Sequence, residues 1–438
     1  MLLKRIIAVA AIALFGADAY AENVKVDFDR GIDVKPIIET LENADYRAEG
    51  LPSAEAVESS RRPAAPSKEW TIMVFVNGKN NLEQYALKDV NEMETVGSGE
   101  KVNIVVELGR MKGYSAEDGD WTGARRYLVQ KDTDSQKITS PILQSIPNAN
   151  MGSWTHLAEF AAWAKTNYPA RKYMLIVWNH GSGWLKATSG QTDRGISFDE
   201  ETRNRLSTQQ LGQALEKAGG VDVYGSDACL MQMAEVDYQI KNHARVIVQS
   251  AETEPADGYT YGDFLSRLSA RPQATPEEAA EMAADSYIGH YAQIGIGATQ
   301  SVVKAAALEE LSVKVREWVK IAMSVKDTAA VKAAKKCQTY YYLDNKDMHD
   351  FMRIVAENTK HADLREKSLE VTDFLEKEVV LANKWTGDAY KHAHGLAVYV
   401  PASPDFYDTG SQTWTTYDSL AWSSATGWNT FAKWAAGL

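Results

Sequence analysis

Several short stretches of this chain are apolar at consecutive positions instead of alternate ones. Residues 70–76 (WTIMVFV), 102–108 (VNIVVEL) and 172–178 (KYMLIVW) are the clearest. A strand with one wet face alternates apolar and polar residues, so an unbroken, β-branched run marks a strand buried on both faces. Stretches with helical character lie between such runs, at 82–96, at 154–168 before Pro169, and at 207–218. Further strands are expected at 127–129, from 221 to the Gly225-Ser226-Asp227 turn, and at 245–250. Strands of this kind alternating with helices predict an α/β fold with a mainly parallel sheet covered by helices on both faces.

Beyond about residue 273 the pattern turns helical, with stretches at 276–292, 306–325 and 348–376. Strands are expected near 298–303 and 396–401, and the tail carries Trp414, Trp422, Trp428, Phe431 and Trp434. The expected division is a leader (1–21), a pro-segment or linker (22–68), a catalytic core (69–272) and an extension (273–438) packed on or completing that core.

The leader has a basic start (Lys4, Arg5), an apolar run over 6–16 and small residues at Ala19 and Ala21, the pattern of a secretory signal cut after Ala21. The run is short for a membrane anchor, which needs about 20 apolar residues. Export to a periplasm or the medium is therefore expected, with no stable membrane association. The following stretch, rich in Ala, Ser, Pro and charge, reads as a spacer. A formal charge of −12 repels nucleic acid and anionic membranes and suits a cationic substrate. Only Cys229 and Cys337 are present, so the chain is no disulfide scaffold, although the two could pair.

In an open parallel α/β sheet, ligands bind beyond the carboxyl ends of the strands. Two strands, read as neighbours, end in useful chemistry. The strand at 172–178 runs into Asn179-His180-Gly181-Ser182-Gly183-Trp184, and the strand from 221 runs into Asp227-Ala228-Cys229. A lone cysteine is commonly just a small buried hydrophobe. Here the expected strand-turn-helix places Cys229 at or beside a helix amino terminus, where the dipole and open N–H groups favour a thiolate. Histidine suits the accompanying proton transfers near neutral pH. The N–H groups of Gly181 and Cys229 together offer an oxyanion hole. Among the other histidines, His394-Gly395 precedes its strand and so sits at the wrong edge. A metal set drawn from His349, His392 and His394 has no tight ligand spacing, and no metal site is assigned.

A His-Gly at one strand end and a cysteine at the next, with the histidine about 50 residues upstream, resembles the caspase-like cysteine peptidases. Within them the chain resembles the clostripain family, through WTIMVFVNGKNNLE, WNHGSGW, DACLM, AETEPADGY and HAHGLAVYVP in that order. The resemblance implies Cys229 as nucleophile and His180 as general acid/base. It also implies Asp227 as the acid that selects Arg or Lys before the cut, where a carboxylate makes charge-assisted bonds to the cation. Glu252, Glu254 and Asp257 add negative potential beside the cleft, and Tyr259 stands where relatives often have tryptophan. Asp227 would also oppose the helix by raising the thiol pKa.

Self-processing is a further implication, with Arg194 in SGQTDRGIS and Arg61 in the pro-segment as the preferred cuts. The resulting expectation is a monomeric, exported endopeptidase acting on proteins or peptides with basic residues. No cofactor is expected: some relatives use calcium, but no EF-hand-like loop occurs here. A serine hydrolase is disfavoured because the chain lacks G-x-S-x-G. The non-enzymatic alternative is a catalytically silent binding or adhesion module.

Overall fold

The computed structural model describes residues 68–184, 195–402 and 417–438. The leader, nearly all of the pro-segment with Arg61, the stretch with Lys186 and Arg194, and Trp414 lie outside the described residues. The chain begins with β1 (Lys68–Gly78), α1 (Glu83–Glu94), β2 (Val102–Arg110), β3 (Gly123–Leu128) and β4 (Ile142–Ile146). Then come α2 (Trp154–Asn167), β5 (Ala170–Trp178), β6 (Ile196–Asp199), β7 (Asn204–Leu206), α3 (Thr208–Lys217) and β8 (Val221–Asp227). They are followed by α4 (Ala234–Ile240), β9 (Ala244–Gln249), α5 (Tyr261–Ala270), α6 (Pro276–Ile294) and β10 (Ala298–Lys304). The remainder comprises α7 (Leu308–Val325), α8 (Thr328–Ala334), β11 (Asn345–Asp347), α9 (Met348–Asn358), α10 (Ala362–Phe374), β12 (Val380–Thr386), β13 (Ala397–Tyr399), α11 (Ala421–Thr426) and α12 (Trp428–Ala436).

Nine strands form one sheet in the order β12-β10-β9-β8-β5-β1-β2-β3-β4. Its centre, β9-β8-β5-β1-β2, is parallel, and both margins are antiparallel. The unbroken apolar runs have the expected cause. On β1, Ile72, Val74 and Val76 pack with α1, α5 and α6 on one face, while Met73 and Phe75 pack with α2, α3 and α4 on the other. The chain winds outward from β1 through β2 and, in the other direction, from β5 through β8 to β9. Strand order therefore reverses between β1 and β5, the place where such sheets open a crevice at their carboxyl edge.

The region after residue 272 supplies two strands of this sheet, β10 and β12. The stretch at 348–376 is not one helix. It breaks between α9 and α10, where Thr359 turns extended (φ −77°, ψ 143°) and its hydroxyl donates to Asp327. The strand expected at 396–401 is the short β13, paired with β11 in a separate two-stranded sheet. Cys229 and Cys337 are both free thiols, so the possible disulfide is absent.

Candidate active site

β5 and β8 are parallel neighbours, with Trp178 beside Asp227 at their carboxyl ends. Each strand then releases its chain into the crevice. Asn179 fixes the first exit: its N–H donates to the Asp227 carbonyl (3.1 Å), its side-chain amide donates to Asn77 O (2.6 Å), and its Oδ1 accepts from Phe198 N–H (2.7 Å). Gly181 then lies directly on the cysteine turn. A Cβ there would stand 2.5 Å from Cys229 O and 3.0 Å from Ala228 Cβ, so only glycine permits this approach. The His180-Gly181 segment and Cys229 are thus in backbone contact.

His180 Nε2 lies 2.8 Å from Oδ1 of Asn81. An amide oxygen only accepts, so Nε2 is the donor in this bond. Asn81 follows β1, on the other side of the switch point. In the sequence Asn81 stands within WTIMVFVNGKNNLE with no role assigned to it. Its role depends on β1 and β5 being neighbours, which local pattern does not encode.

The helix expected to begin at or beside Cys229 begins further on. Leu230 takes a left-handed conformation (φ 65°), Met233 bridges to Ala397, and α4 starts only at Ala234. The helix dipole therefore falls short of the thiol. Its place is taken by the backbone N–H of Glu254, 3.3 Å from Cys229 Sγ. Burial nevertheless pushes the thiol above its ordinary range, with the Glu252 and Asp227 carboxylates adding to the rise against the Glu254 N–H.

Asp227, the last residue of β8, is 4% exposed. Its Oδ2 accepts from Tyr261 Oη (2.9 Å) and from Tyr259 N–H (3.2 Å). Gly258 (φ 58°) lies over the carboxylate, with room for a Cβ only at 2.8 Å from Oδ1. Burial, with the Glu92 charge adding to it, raises the carboxyl to about 6 against the influence of neighbouring Glu254, Tyr261 and Tyr259. Glu254 is buried beside it with neither oxygen in a well-aligned hydrogen bond, and burial followed by the Asp227 charge drives its pKa well up. Asp89, buried on α1, completes the cluster: Trp178 Nε1 donates to its Oδ2 (2.7 Å), its Oδ1 is unpartnered, and burial and Asp227 raise it too. Tyr287 and Tyr291 feel the same carboxylates.

The structure therefore brings Asp227, Glu254 and Tyr259 together. It does not bring Glu252 or Asp257 into that chamber. Glu252 Oε1 accepts from Thr253 N–H (2.7 Å) and Tyr341 N–H (3.1 Å), and Asp257 pairs with Lys88 at the surface (2.6 Å). Asp89 escaped sequence reasoning, although its spacing offered a signal. It lies among Ala86, Val90 and Met93 on the apolar stripe of α1, where a carboxylate needs a reason.

This sheet, with helices on both faces, has the caspase-like architecture. A sequence model of the clostripain family matches residues 74–434, and the chain belongs to that family. It is 28% identical over 221 residues to clostripain of Hathewaya histolytica, a match covering 46% of this chain and 42% of that protein. The chain thus spans less than half of that relative's length. Among solved structures, a secreted C11 cysteine protease from Bacteroides thetaiotaomicron, in complex with an irreversible peptide inhibitor, superposes with a TM-score of 0.63 at 21% identity, covering 82% of this chain and 99% of that one. An inactive zymogen C11 protease from Parabacteroides distasonis gives 0.61 at 20% identity, covering 83% and 99%. At these identities the likeness establishes the fold. Among the described residues no helix is long and apolar enough to cross a membrane.

Proposed function

We propose that the protein is an exported cysteine endopeptidase that cleaves after Arg or Lys and is activated by its own cutting. The observation that carries the specificity is the buried cluster of Asp227, Glu254 and Asp89, which begins two residues before Cys229 and whose burial raises all three carboxyls; the cation that offsets Asp89, Lys88, stands at the surface paired with Asp257. Burying carboxyl groups together is costly unless a partner arrives. A guanidinium or ammonium is the partner that fits, and it draws the pocket toward its ionised form.

In this reading Cys229 Sγ attacks the scissile carbonyl carbon as its proton passes to Nδ1 of His180, whose orientation Asn81 holds. The tetrahedral oxyanion is met by the N–H groups of Gly181 and Cys229. His180 returns the proton to the leaving amine, and water then hydrolyses the thioester with the same base. A thiol held above its ordinary pKa makes this base necessary, because little thiolate is present beforehand.

Activation has independent support. Asp227 is almost closed off in the uncut chain, so the pocket must open to admit a side chain. Ser182 and Gly195, on either side of residues 185–194, are joined close to His180: Ser182 N–H donates to Gly195 O (3.0 Å) and Gly195 N–H to Ser182 Oγ (2.7 Å). A cut at Arg194 would release one of these anchors, and one at Arg61 would remove the pro-segment. A solved neighbour described as an inactive zymogen fits this reading. The leader at 1–21 and a neighbour described as secreted favour export.

The test is hydrolysis of short Arg and Lys peptides, before and after nicking with trypsin. Activity is expected to vanish in Cys229→Ala and after thiol alkylation; activity surviving both treatments removes the mechanism. Self-processing is checked by mass spectrometry, since identical fragments from wild type and Cys229→Ala would mean another protease makes them. A nicked chain with no hydrolysis at all points to the silent binding module.

A further inference from the structure

A second group of ligating side chains lies outside the cleft. Asp347 ends β11 and caps α9, His349 follows at the start of α9, and His394 precedes β13. Their spacing in sequence forms no compact set, but the fold brings one donor atom of each within 4.8 Å of the others. The Asp347 side chain is fully buried, that of His349 is 9% exposed and that of His394 is 29% exposed.

The hydrogen bonding leaves this cluster incomplete. Asp347 Oδ1 accepts from Asp350 N–H (2.9 Å) and lies 3.3 Å from His394 Nδ1, and Oδ2 accepts from His394 N–H (2.7 Å) and Tyr340 Oη (2.9 Å). His349 Nε2 is 2.8 Å from Glu376 Oε1. A carboxylate accepts, so Nε2 carries the hydrogen and Nδ1 keeps its lone pair. That Nδ1 is buried without a hydrogen-bond partner, and His394 Nδ1 has none of good geometry. The two rings stack with centroids 4.0 Å apart, which satisfies neither nitrogen. A buried imidazole whose outer nitrogen is held by a carboxylate, and whose inner nitrogen is unused, has the arrangement of a metal ligand with its outer-shell partner.

We propose that Asp347, His349 and His394 bind one divalent transition-metal ion of the zinc type, through Asp347 Oδ1 and the Nδ1 atoms of both histidines, with water as fourth ligand. Two imidazoles and a carboxylate suit zinc and its neighbours, whereas calcium and magnesium require oxygen. Nitrogens about 2.0–2.1 Å from a tetrahedral zinc stand about 3.4 Å apart. The cluster closes by about an ångström on binding, and the stacked rings splay to aim at one ion. His394, the more exposed of the two, has room for that motion. The ion ties the 392–396 loop to the start of α9. This loop leads into Ala397, whose N–H donates to Gln232 O (3.0 Å) in the segment just after Cys229. The site would brace the cysteine loop from behind.

The test uses the full-length Cys229→Ala chain, because the thiol would itself bind zinc. After stripping with a chelator, the protein is titrated by calorimetry with zinc chloride and, separately, with calcium chloride. One equivalent of zinc and no calcium is expected to bind, with cobalt giving the visible absorption of a tetrahedral site. His349→Ala and His394→Ala are each expected to abolish the zinc heat. Glu376→Gln alters a half-exposed side chain and leaves the fold intact; it is expected to weaken zinc about ten- to a hundredfold. Absence of a one-equivalent zinc heat, or zinc affinity unchanged in Glu376→Gln and both histidine variants, would overturn the proposal.

Discussion

At the scale of single residues, the site is governed by where protons rest. Asp227 is pushed up to about 6 from an ordinary 3.8, with burial as the main cause. Between those two values the unfolded chain has released a proton that the folded chain still holds, so this group makes folding less favourable as pH rises. Above about 6 the fold carries the buried charge in full. Asp227→Asn keeps an acceptor for Tyr261 and Tyr259 without that charge. It is expected to stabilise the protein at pH 8 by on the order of 1–3 kcal/mol, and to do so little at pH 4. Thermal unfolding at both pH values checks this, and an equal shift at the two would remove the ionisation account. The same variant is expected to lose about a hundredfold in kcat/KM on Arg and Lys peptides, since a charge-assisted bond becomes a neutral one. Wild-type kcat/KM on these peptides should rise with pH through about 6, as the pocket ionises. Asn81→Ala is a finer probe, because Asn81 is proposed to act only through the ring of His180. A fall in kcat of about ten- to a hundredfold with KM unchanged is expected; a change in KM alone would assign Asn81 to substrate binding.

At the scale of elements, the catalytic geometry depends on the junction between two strand exits. Gly181→Ala introduces a Cβ 2.5 Å from the Cys229 carbonyl oxygen, a backbone atom that no side-chain rotation can move aside. The two exits must separate, at a cost of about 1–3 kcal/mol. Activity is expected to fall far more than that, because attack requires reacting atoms within about 3.5 Å. Comparing the melting temperature with kcat/KM separates the two effects, and a variant of full activity would show that the close approach is dispensable. This junction also marks how far the sequence could be read. The central strands were legible because both their faces are buried, and His180 and Cys229 because each directly follows such a strand. β4 (ILQSI) is mostly exposed and β12 (VLANKWT) mostly half-buried or exposed, so neither carries the unbroken apolar run that betrays a central strand. The helix expected at or beside Cys229 starts only at Ala234, after a left-handed Leu230 and an extended Met233 bridged to Ala397, which no local propensity announces. Asn81 and Asp89 were hidden for another reason: what each does is set by a neighbour distant in sequence.

At the scale of the whole molecule, the sheet makes cleavage and dissociation separate events. A cut within residues 185–194 leaves β1 to β5 on one fragment and β6 onward on the other. The parallel ladder from Met174 beside Val223 to Trp178 beside Asp227 would then join two chains. On one face, Leu157 and Phe160 of α2 share a core with Leu211 and Leu215 of α3; on the other, Val90 and Met93 of α1 share one with Phe264 and Leu265 of α5. Each contact crosses the cut. At about 25 cal/mol for each Å² of apolar surface, even half a dozen such side chains, fully buried, hold the fragments by roughly 10 kcal/mol or more. Trypsin-nicked protein is therefore expected to elute from a sizing column at the position of the intact chain, and to resolve into two fragments only in denaturant. His180 would then lie on the amino-terminal fragment and Cys229 on the carboxyl-terminal one, so activity should track the associated species. Fragments that separate in native buffer while hydrolysis persists in one of them would contradict a site assembled across β5 and β8.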